Sequence, residues 1–512
     1  MILDEIPRRN ARRYPDKTAL VFDDMRYTFR EFNDRVNSLA TALSDIGLRK
    51  GDKLAILAGS CHQYIEIFFT AAKMGLVTAP LNPRLSQREL SHLINNAEAS
   101  TLIFSQDNRG LVDSLRPELR EVKNLIVIGT PEAGLRSYEE LISSYPPLEP
   151  RTEIDDDDLL FLAPSSGTTG LPKQVMHTHR SLLGLALSIL WAFNIRHEDV
   201  CLFALPPFWA LAIPMLVVPH FYMGSTVVLT KEITPKQVLE AIAKEKVTTS
   251  FFGSPFLLEL VGYPELDKYE RASLRFVGVG GAPLPTEVWE QAIKTFGNIF
   301  GQFYGLAELF PITFLPSEEF AFEGSPERVR RLRSCGKETI NIEARVVDEE
   351  GNNVPLGEAG EVIARGEGMM RGYWKAPQAT EAAIKGGYVY TGDLATVDED
   401  GYIYLMGRRK DVIVSQGKTI SPLEIEDIFY HHPSVQEAAV IGVPDESLGE
   451  AIKAVIILKE GEKATAEELL RLCQNDLPDY AVPHSVDFVD TFPKSAVGKV
   501  LKHVLRDQYA KG

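Results

Sequence analysis

Residues 165–174, SSGTTGLPKQ, follow an apolar run and crowd four hydroxyls, two glycines and a lysine into one short stretch. Consecutive small residues let backbone N–H groups curl around an anion, and threonine hydroxyls add further donors. Phosphate is the natural guest for such a loop. The plainer alternative is a surface loop, the usual meaning of Gly/Ser/Thr clusters. A Walker-type phosphate loop is excluded, because Leu171 and Pro172 separate Gly170 from Lys173 where that motif has lysine directly after glycine.

Further along the chain come GGAPLPTE (280–287), FYGLAEL (303–309), YTGD (390–393), GRRKD (407–411) and FPKSAVGK (492–499), in that order. With the glycine loop, this ordered set resembles the adenylate-forming superfamily of acyl-CoA synthetases, luciferase-like enzymes and peptide-synthetase adenylation domains. The resemblance runs from YTFREFNDRVNSLATAL to GKVLKHVLR, nearly the whole chain. It implies an acyl-CoA synthetase: ATP- and Mg²⁺-dependent conversion of a carboxylic acid to acyl-AMP with loss of pyrophosphate, then transfer to the CoA thiol with release of AMP. The chemistry needs both steps, since a carboxylate is anionic and has no good leaving group. Its first step calls for neutralised phosphates and in-line geometry rather than a protein nucleophile. An adenylating ligase that loads a separate carrier protein and a non-catalytic nucleotide- or acyl-binding relative are the alternatives.

Roles follow from the resemblance, position by position. Ser165, Ser166, Gly167, Thr168, Thr169, Gly170 and Lys173 are expected to hold the β- and γ-phosphates. Thr168 and Glu308 match positions that help hold Mg²⁺, a hard cation suited to oxygen ligands. Gly281, Ala282, Pro283 and Tyr304 match the walls around adenine, Gln302 its edge, and Phe303, Gly305 and Ala307 belong to the same nucleotide-lining stretch. Asp393 corresponds to the carboxylate that accepts the ribose hydroxyls, and Arg408 to an arginine on ribose or phosphate. Lys499 matches the lysine that neutralises charge at the α-phosphate and acyl oxygens. Lys410 falls at the interdomain hinge, and Ser415, Gln416 and Gly417 fall in the segment lining the CoA thiol tunnel. Taken singly, most of these have plainer readings: a turn aspartate, a core tyrosine, a solvated lysine at a helix start.

The pattern also breaks. Trp209 replaces a frequent histidine and Ala212 a common glycine; Ala307 replaces threonine before the glutamate, and Phe303 and Gln416 stand where glycine is frequent. Phe208, Trp209, Leu211, Val279, Gly280, Leu306, Phe310 and Pro311 are the candidate acyl-pocket residues. None is cationic, which favours a monocarboxylate with a fatty or aromatic body over a dicarboxylate.

These residues must be positioned by a chain of 512 residues, longer than one hydrophobic core supports, so two or more domains are expected. A net charge of −17 argues against nucleic-acid binding. Cys61, Cys201, Cys335 and Cys473 have no metal-ligand spacing and suit free thiols in a reducing compartment. The start lacks a signal-peptide core and the end is no peroxisomal tripeptide, so a cytoplasmic location is expected. Residues 203–229 carry no fixed charge and could span a bilayer by length. Pro206, Pro207, Pro214 and Pro219 would interrupt a lone helix there, and the stretch is expected to be a buried loop, helix and strand.

Strand-like KLAILAG, VTAPLNP, STLIFSQ, NLIVIG and LLFLAP alternate with helical TFREFNDRVNSLATALSDIGL, CHQYIEIFFTAAKMG and SLLGLALSILWAF, the signature of helix-covered parallel sheets. Residues 145–158 read as an exposed connector with a solvated aspartate turn. From about Ala344 the pattern becomes antiparallel, and beyond Arg409 a smaller unit closes with a basic helix. The expected fold is α/β: a large N-terminal domain (1–408) of helix-covered sheets plus a distorted β-barrel, and a small α+β C-terminal domain (409–512) turning on a hinge. No transmembrane segment is expected, and a homodimer is one option for assembly.

Overall fold

The computed structural model describes residues 3–130, 134–165, 171–494 and 500–510. Thr28 and Ser86 start helices by the same device. The Thr28 hydroxyl accepts the Glu31 N–H at 3.2 Å while the Thr28 N–H donates to the Glu31 carboxylate at 2.8 Å, and Ser86 with Glu89 repeats this capping box. Helix Phe29–Asp45 then buries Phe29, Phe32, Val36, Leu39 and Leu43. Helix His62–Met74 is buried along its whole length and stops at Gly75, whose φ of +67° is left-handed and where a Cβ would stand 2.8 Å from Lys50.

These helices cover two largely parallel sheets. The first has eight strands in the order Gly372–Tyr373, Gln174–Thr178, Leu159–Pro164, Val77–Pro80, Lys53–Leu57, Ala99–Ser105, Asn124–Ile128 and Arg136–Ser137. The second has nine, running from Lys337–Glu338 through Thr313–Leu315, Phe300–Tyr304, Phe276–Gly280, Thr249–Gly253, Val200–Phe203, Thr226–Leu229 and Thr18–Phe22 to Met25–Thr28. The strands expected from the sequence lie where the periodicity put them.

The uncharged stretch 203–229 is folded into the core as Ile213–Val217, Val218–Met223 and the strand Thr226–Leu229. Among the described residues no helix is long and apolar enough to cross a membrane. The connector 145–158 has no buried residue, yet it is anchored to the helices beneath it. Glu149 accepts from Asn37 and from Lys73, whose buried ammonium also donates to Asn33 and Asn37, and Asp158 pairs with Lys50 at 2.6 Å.

The expected distorted barrel is an open antiparallel sheet of five strands: Ile342–Val347, Gly360–Gly366, Tyr388–Val397 and Ile384–Lys385 in order, with Ile403–Arg408 also on Tyr388–Val397. Among the described residues no pairing closes it. The ten-residue strand Tyr388–Val397 gives one edge to two partners, the short Ile384–Lys385 at its start and Ile403–Arg408 at its end, so the sheet branches. A last sheet, Lys418–Ile420, Ile413–Ser415, Gly449–Leu458, Val435–Asp445 and Ser485–Phe488, packs with helices Pro422–Tyr430, Ala466–Asp476 and Lys502–Tyr509.

Candidate active site

Strand Leu159–Pro164 runs straight into the glycine loop, and Gln174–Thr178 returns antiparallel beside it. The base of the loop is closed by the Ser165 N–H donating to the Lys173 carbonyl at 2.8 Å. Ser166, Gly167, Thr168, Thr169 and Gly170 lie outside the described residues, as does Lys499. The latter's segment is flanked by a bridge between Lys494 and Val500 and by the Leu501 N–H on the Pro493 carbonyl.

In the neighbouring sheet, Phe276–Gly280 and Phe300–Tyr304 are adjacent parallel strands, and both deliver their loops at the same end. Ligands in open α/β sheets bind at that carboxyl end. After Gly280, Gly281 has φ +99° and nothing within 4 Å of the place a Cβ would occupy, which leaves an open surface. The Ser254 hydroxyl donates to the Gly280 and Ala282 carbonyls, pinning the turn that leads to Pro283. Gln302 and Tyr304 share one face of their strand. Gln302 Oε1 is buried and has no hydrogen-bond partner among the described residues, so it is open to a donor from a ligand.

Tyr304 reaches the branched sheet. Its hydroxyl donates to Asp393 Oδ2 at 2.7 Å, Arg408 Nε lies 2.9 Å from Asp393 Oδ1, and Arg408 also donates to the Thr391 carbonyl at 2.9 Å. Asp393 is 7% exposed. Burial, with the Asp393 carboxylate beside it, holds the Tyr304 hydroxyl protonated far above the ordinary phenol range. Three residues taken from separate sequence motifs thus form one hydrogen-bonded cluster.

The loop after Tyr304 turns back on itself. Leu306 and Leu309 exchange backbone hydrogen bonds, and the Ile312 N–H donates to the Tyr304 carbonyl at 2.8 Å. Gly305 is required here, since a Cβ would stand 2.8 Å from Phe310 and 2.9 Å from the Leu309 carbonyl. Glu308 is held at two points: its carbonyl accepts the Met370 N–H at 2.8 Å, and its Oε1 accepts the Tyr373 hydroxyl at 2.6 Å. The Ala307 carbonyl lies 2.7 Å from His177 Nε2. Burial lowers the pKa of His177 to about 4, so the ring is neutral and donates Nε2–H there. Lys173 Nζ sits 4.9 Å from the centre of the Tyr373 ring. The strands carrying His177 and Tyr373 are paired, with Val175 opposite Tyr373. One strand pair therefore carries the end of the glycine loop and the supports of Glu308.

His177 and Tyr373 are functional candidates absent from the sequence reading. Tyr373 lies 65 residues from Glu308 and no spacing connects them; only its place in an aromatic GYW triplet was visible.

The acyl candidates divide. Leu211, Trp209 and Phe310 belong to or pack on the core that covers the sheet from the side of helix His179–Phe193, and Phe303, expected in the nucleotide-lining stretch, is buried in that same core. Gly280 lies under Phe251 and the Phe303 carbonyl. Val279 faces the other core, with Leu202, Phe252 and Val277. Phe208 is half-buried, Leu306 is engaged with Leu309 through the backbone, and the Pro311 carbonyl accepts from Thr339.

In the C-terminal part, Gln416 (φ +52°) and Gly417 (φ +73°) form the two-residue turn between Ile413–Ser415 and Lys418–Ile420. Two successive positive φ values explain why paired glycines suit this place. The Ser415 hydroxyl is buried without a hydrogen-bond partner among the described residues. Lys410 is exposed, with its pKa lowered mainly by partial burial, between Arg409, which pairs with Glu349 and Glu361, and Asp411, which pairs with Arg506. Among the described residues no group of three or more His, Cys, Asp or Glu could hold a metal ion.

Comparison with known proteins gives the family. A family model described as AMP-binding enzyme matches residues 7–374, and one described as AMP-binding enzyme C-terminal domain matches residues 424–499. A feruloyl-CoA synthase of Amycolatopsis sp is 34% identical over 504 residues, covering 98% of each chain. A long-chain-fatty-acid–CoA ligase of Mycobacterium tuberculosis is 31% identical over 491 residues, covering 95% of this chain and 94% of its own. Among solved structures, an anthranilate CoA ligase in complex with anthranoyl-AMP matches with a TM-score of 0.91 at 28% identity, over 100% of this chain and 97% of its own. The chain belongs to the AMP-binding enzyme family, in its carboxylate–CoA ligase branch. Its substrates are a small carboxylic acid, ATP and CoA.

Proposed function

We propose that this chain activates a hydrophobic monocarboxylic acid as its acyl-adenylate and passes the acyl group to CoA at the site between the glycine loop and the branched sheet. The Tyr304–Asp393–Arg408 cluster carries the reading. It sets a buried carboxylate, already oriented by a phenol and a guanidinium, at the carboxyl end of the parallel strands, where a ribose diol can donate to it. The open surface at Gly281 and the orphaned Gln302 Oε1 suit an adenine ring and its amino edge. Ser165 to Gly170 and Lys173 hold the β- and γ-phosphates, and Lys499 neutralises the charge that develops as the acid attacks the α-phosphate.

Glu308 and Thr168 supply a carboxylate and a hydroxyl, hard oxygen donors of the kind Mg²⁺ takes alongside phosphate oxygens. When bound, that ion neutralises phosphate charge and helps align the triphosphate. The Tyr373 hydroxyl holds the Glu308 carboxylate, and His177 and Met370 fix the Ala307 and Glu308 carbonyls. The boundary falls at 408/409. Residues 409–512 turn about Lys410, so that Lys499 serves the first half-reaction and the 415–417 turn lines the thiol path in the second. The relatives' names include an aromatic acid and fatty acids, and the uncharged pocket candidates fit either.

The test is a screen of acids with ATP, Mg²⁺ and CoA, reading AMP and thioester together, beside the Lys499→Ala variant. AMP and thioester should appear in equal amounts with at least one hydrophobic acid. Lys499→Ala should lose acid-dependent exchange of pyrophosphate into ATP by about 100-fold or more. Exchange at the wild-type rate removes Lys499 from the mechanism.

A further inference from the structure

Phe303 points away from the nucleotide face of its strand, opposite to Gln302 and Tyr304, and is 3% exposed. Its ring centre lies 5.8 Å from Phe251, 5.8 Å from Phe193, 6.3 Å from Phe310 and 4.7 Å from Phe314. Phe251 in turn meets Phe310 edge-on at 6.4 Å. These are the separations at which aromatic rings attract one another beyond simple burial.

The next strand makes room for this wall. A Cβ at Gly278 would stand 2.6 Å from Phe251 and 2.8 Å from Phe193, and one at Gly280 would stand 3.1 Å from Phe251 and 2.8 Å from the Phe303 carbonyl. The space left by missing side chains is thus filled by rings and is no channel. Trp209 closes in similarly, its ring 3.0 Å from the place a Cβ of Gly253 would occupy. Trp209, Ala307 and Phe310, all half-buried, pack on the same core that contains Phe251 and Phe303. Ala307 adjoins Glu308, so this core stands directly behind the loop that carries the reacting end. A long alkyl chain entering from that end would have to displace fully packed phenylalanines.

We propose that the acid accepted here is a compact planar aromatic carboxylate, and that Phe303, backed by Phe251 and Phe310, is the residue that excludes long alkyl chains. The inference rests on the ligase reading above. Ring faces and edges at Trp209, Phe303 and Phe310 favour a flat aromatic body over a flexible chain, which would also lose rotamer freedom on entry. The absence of a cation among these walls excludes a second carboxylate, whose burial without a partner is costly.

The experiment measures kcat/KM for thioester formation with benzoate, cinnamate, octanoate, dodecanoate and hexadecanoate, on the wild type and on Phe303→Ala and Phe303→Leu. The wild type should prefer the better aromatic acid over dodecanoate and hexadecanoate by at least about 100-fold, the scale at which pockets discriminate by shape. Phe303→Ala should narrow that ratio at least about tenfold by gaining on octanoate and dodecanoate, with Phe303→Leu between. Should the alanine variant fail to fold, as judged by its circular dichroism, the leucine variant decides. Hexadecanoate turned over as well as the aromatic acids by the wild type overturns the substrate class and leaves the ligase reading intact. A folded Phe303 variant without gain on alkyl acids overturns the role of Phe303. Absence of AMP and thioester with every acid overturns the ligase reading, and this proposal with it.

Discussion

Glu308 is proposed to serve a bound metal ion, and its usefulness in that role depends on where its carboxylate points. The Tyr373 hydroxyl donates to one oxygen at 2.6 Å, and burial, with that carboxylate second, raises the Tyr373 pKa far above the phenol range, so the donor is always present. Partners that orient a ligating carboxylate are commonly worth 10- to 100-fold in metal affinity or activity, by order of magnitude. Tyr373→Phe keeps the ring on which the Lys173 ammonium rests and removes only the donor. The expected outcome is an increase of about tenfold in the Mg²⁺ concentration for half-maximal pyrophosphate exchange, with an unchanged thermal midpoint. A change in midpoint without a change in Mg²⁺ dependence would assign Tyr373 to packing alone. Ala307, which offers no hydroxyl, leaves its carbonyl to do the positioning through the neutral His177.

At the scale of elements, the connector 145–158 is tied down by one buried lysine. Lys73, 3% exposed in helix His62–Met74, donates to Asn33, Asn37 and Glu149 at 2.7 Å each, and this clasp joins two helices and the connector. Removing the cation leaves three acceptors without their donor. Lys73→Ala should destabilise the chain by about 3 kcal/mol, while Glu149→Gln, which keeps an acceptor, should cost about 1 kcal/mol; urea unfolding of both variants checks the order. The composition of the connector, proline and acid, gave no sign of this, because Lys73 sits in a run whose other members read simply as an apolar helix. The strands themselves were legible as short apolar runs alternating with helical segments, and helices such as Phe29–Asp45 through apolar residues at helical spacing, whereas the Ser86-capped helix Gln87–Ala97 was not read. Which core Val279 faces was not. A central parallel strand is buried on both sides, so FVGVG shows no polar–apolar alternation to tell one core from the other, and only the packed sheet assigns Val279 and Gly280 their sides. Asp393, Tyr304 and Arg408 were legible as motif members, but their mutual contact depends on the branching of Tyr388–Val397, which no local pattern announces.

For the whole molecule, the buried histidines set how stability responds to acid. Burial lowers His177, His179 and His220 to about 4, so in the unfolded chain, with an ordinary value near 6.5, they take up protons first. Their contribution is complete above about pH 6.5 and is lost as pH falls through the window down to about 4. Glu66, held down to about 2 by His62 and Arg35 against its own burial, contributes stability above its ordinary value of 4.5 that is lost only as pH falls towards 2. The urea midpoint should therefore drop between pH 7 and pH 5, and His220→Gln should flatten that slope. The same molecule is clasped between its two ends. The Thr286 N–H donates to Asp427 at 3.2 Å, Arg333 lies 3.2 Å from the same carboxylate, and His431 pairs with Glu287 at 2.5 Å. Helix Pro422–Tyr430 thereby rests on the start of helix Thr286–Phe296, directly after Gly281–Pro283. The turn proposed for residues 409–512 would have to release such contacts, with the backbone change concentrated at a few residues. Around Lys410 the Asp411 and Val412 N–H groups both return to the Arg408 carbonyl, so the chain there forms a tight turn whose φ values set the direction of everything after it. Lys410→Pro fixes one of them. It should leave pyrophosphate exchange within about threefold and lower thioester formation by about tenfold or more, whereas the double variant Arg333→Ala, His431→Ala should alter the ratio of the two half-reactions with no change at the turn itself. Equal loss of both half-reactions in Lys410→Pro would place the pivot elsewhere, and an unchanged ratio in the double variant would make the clasp a passive contact.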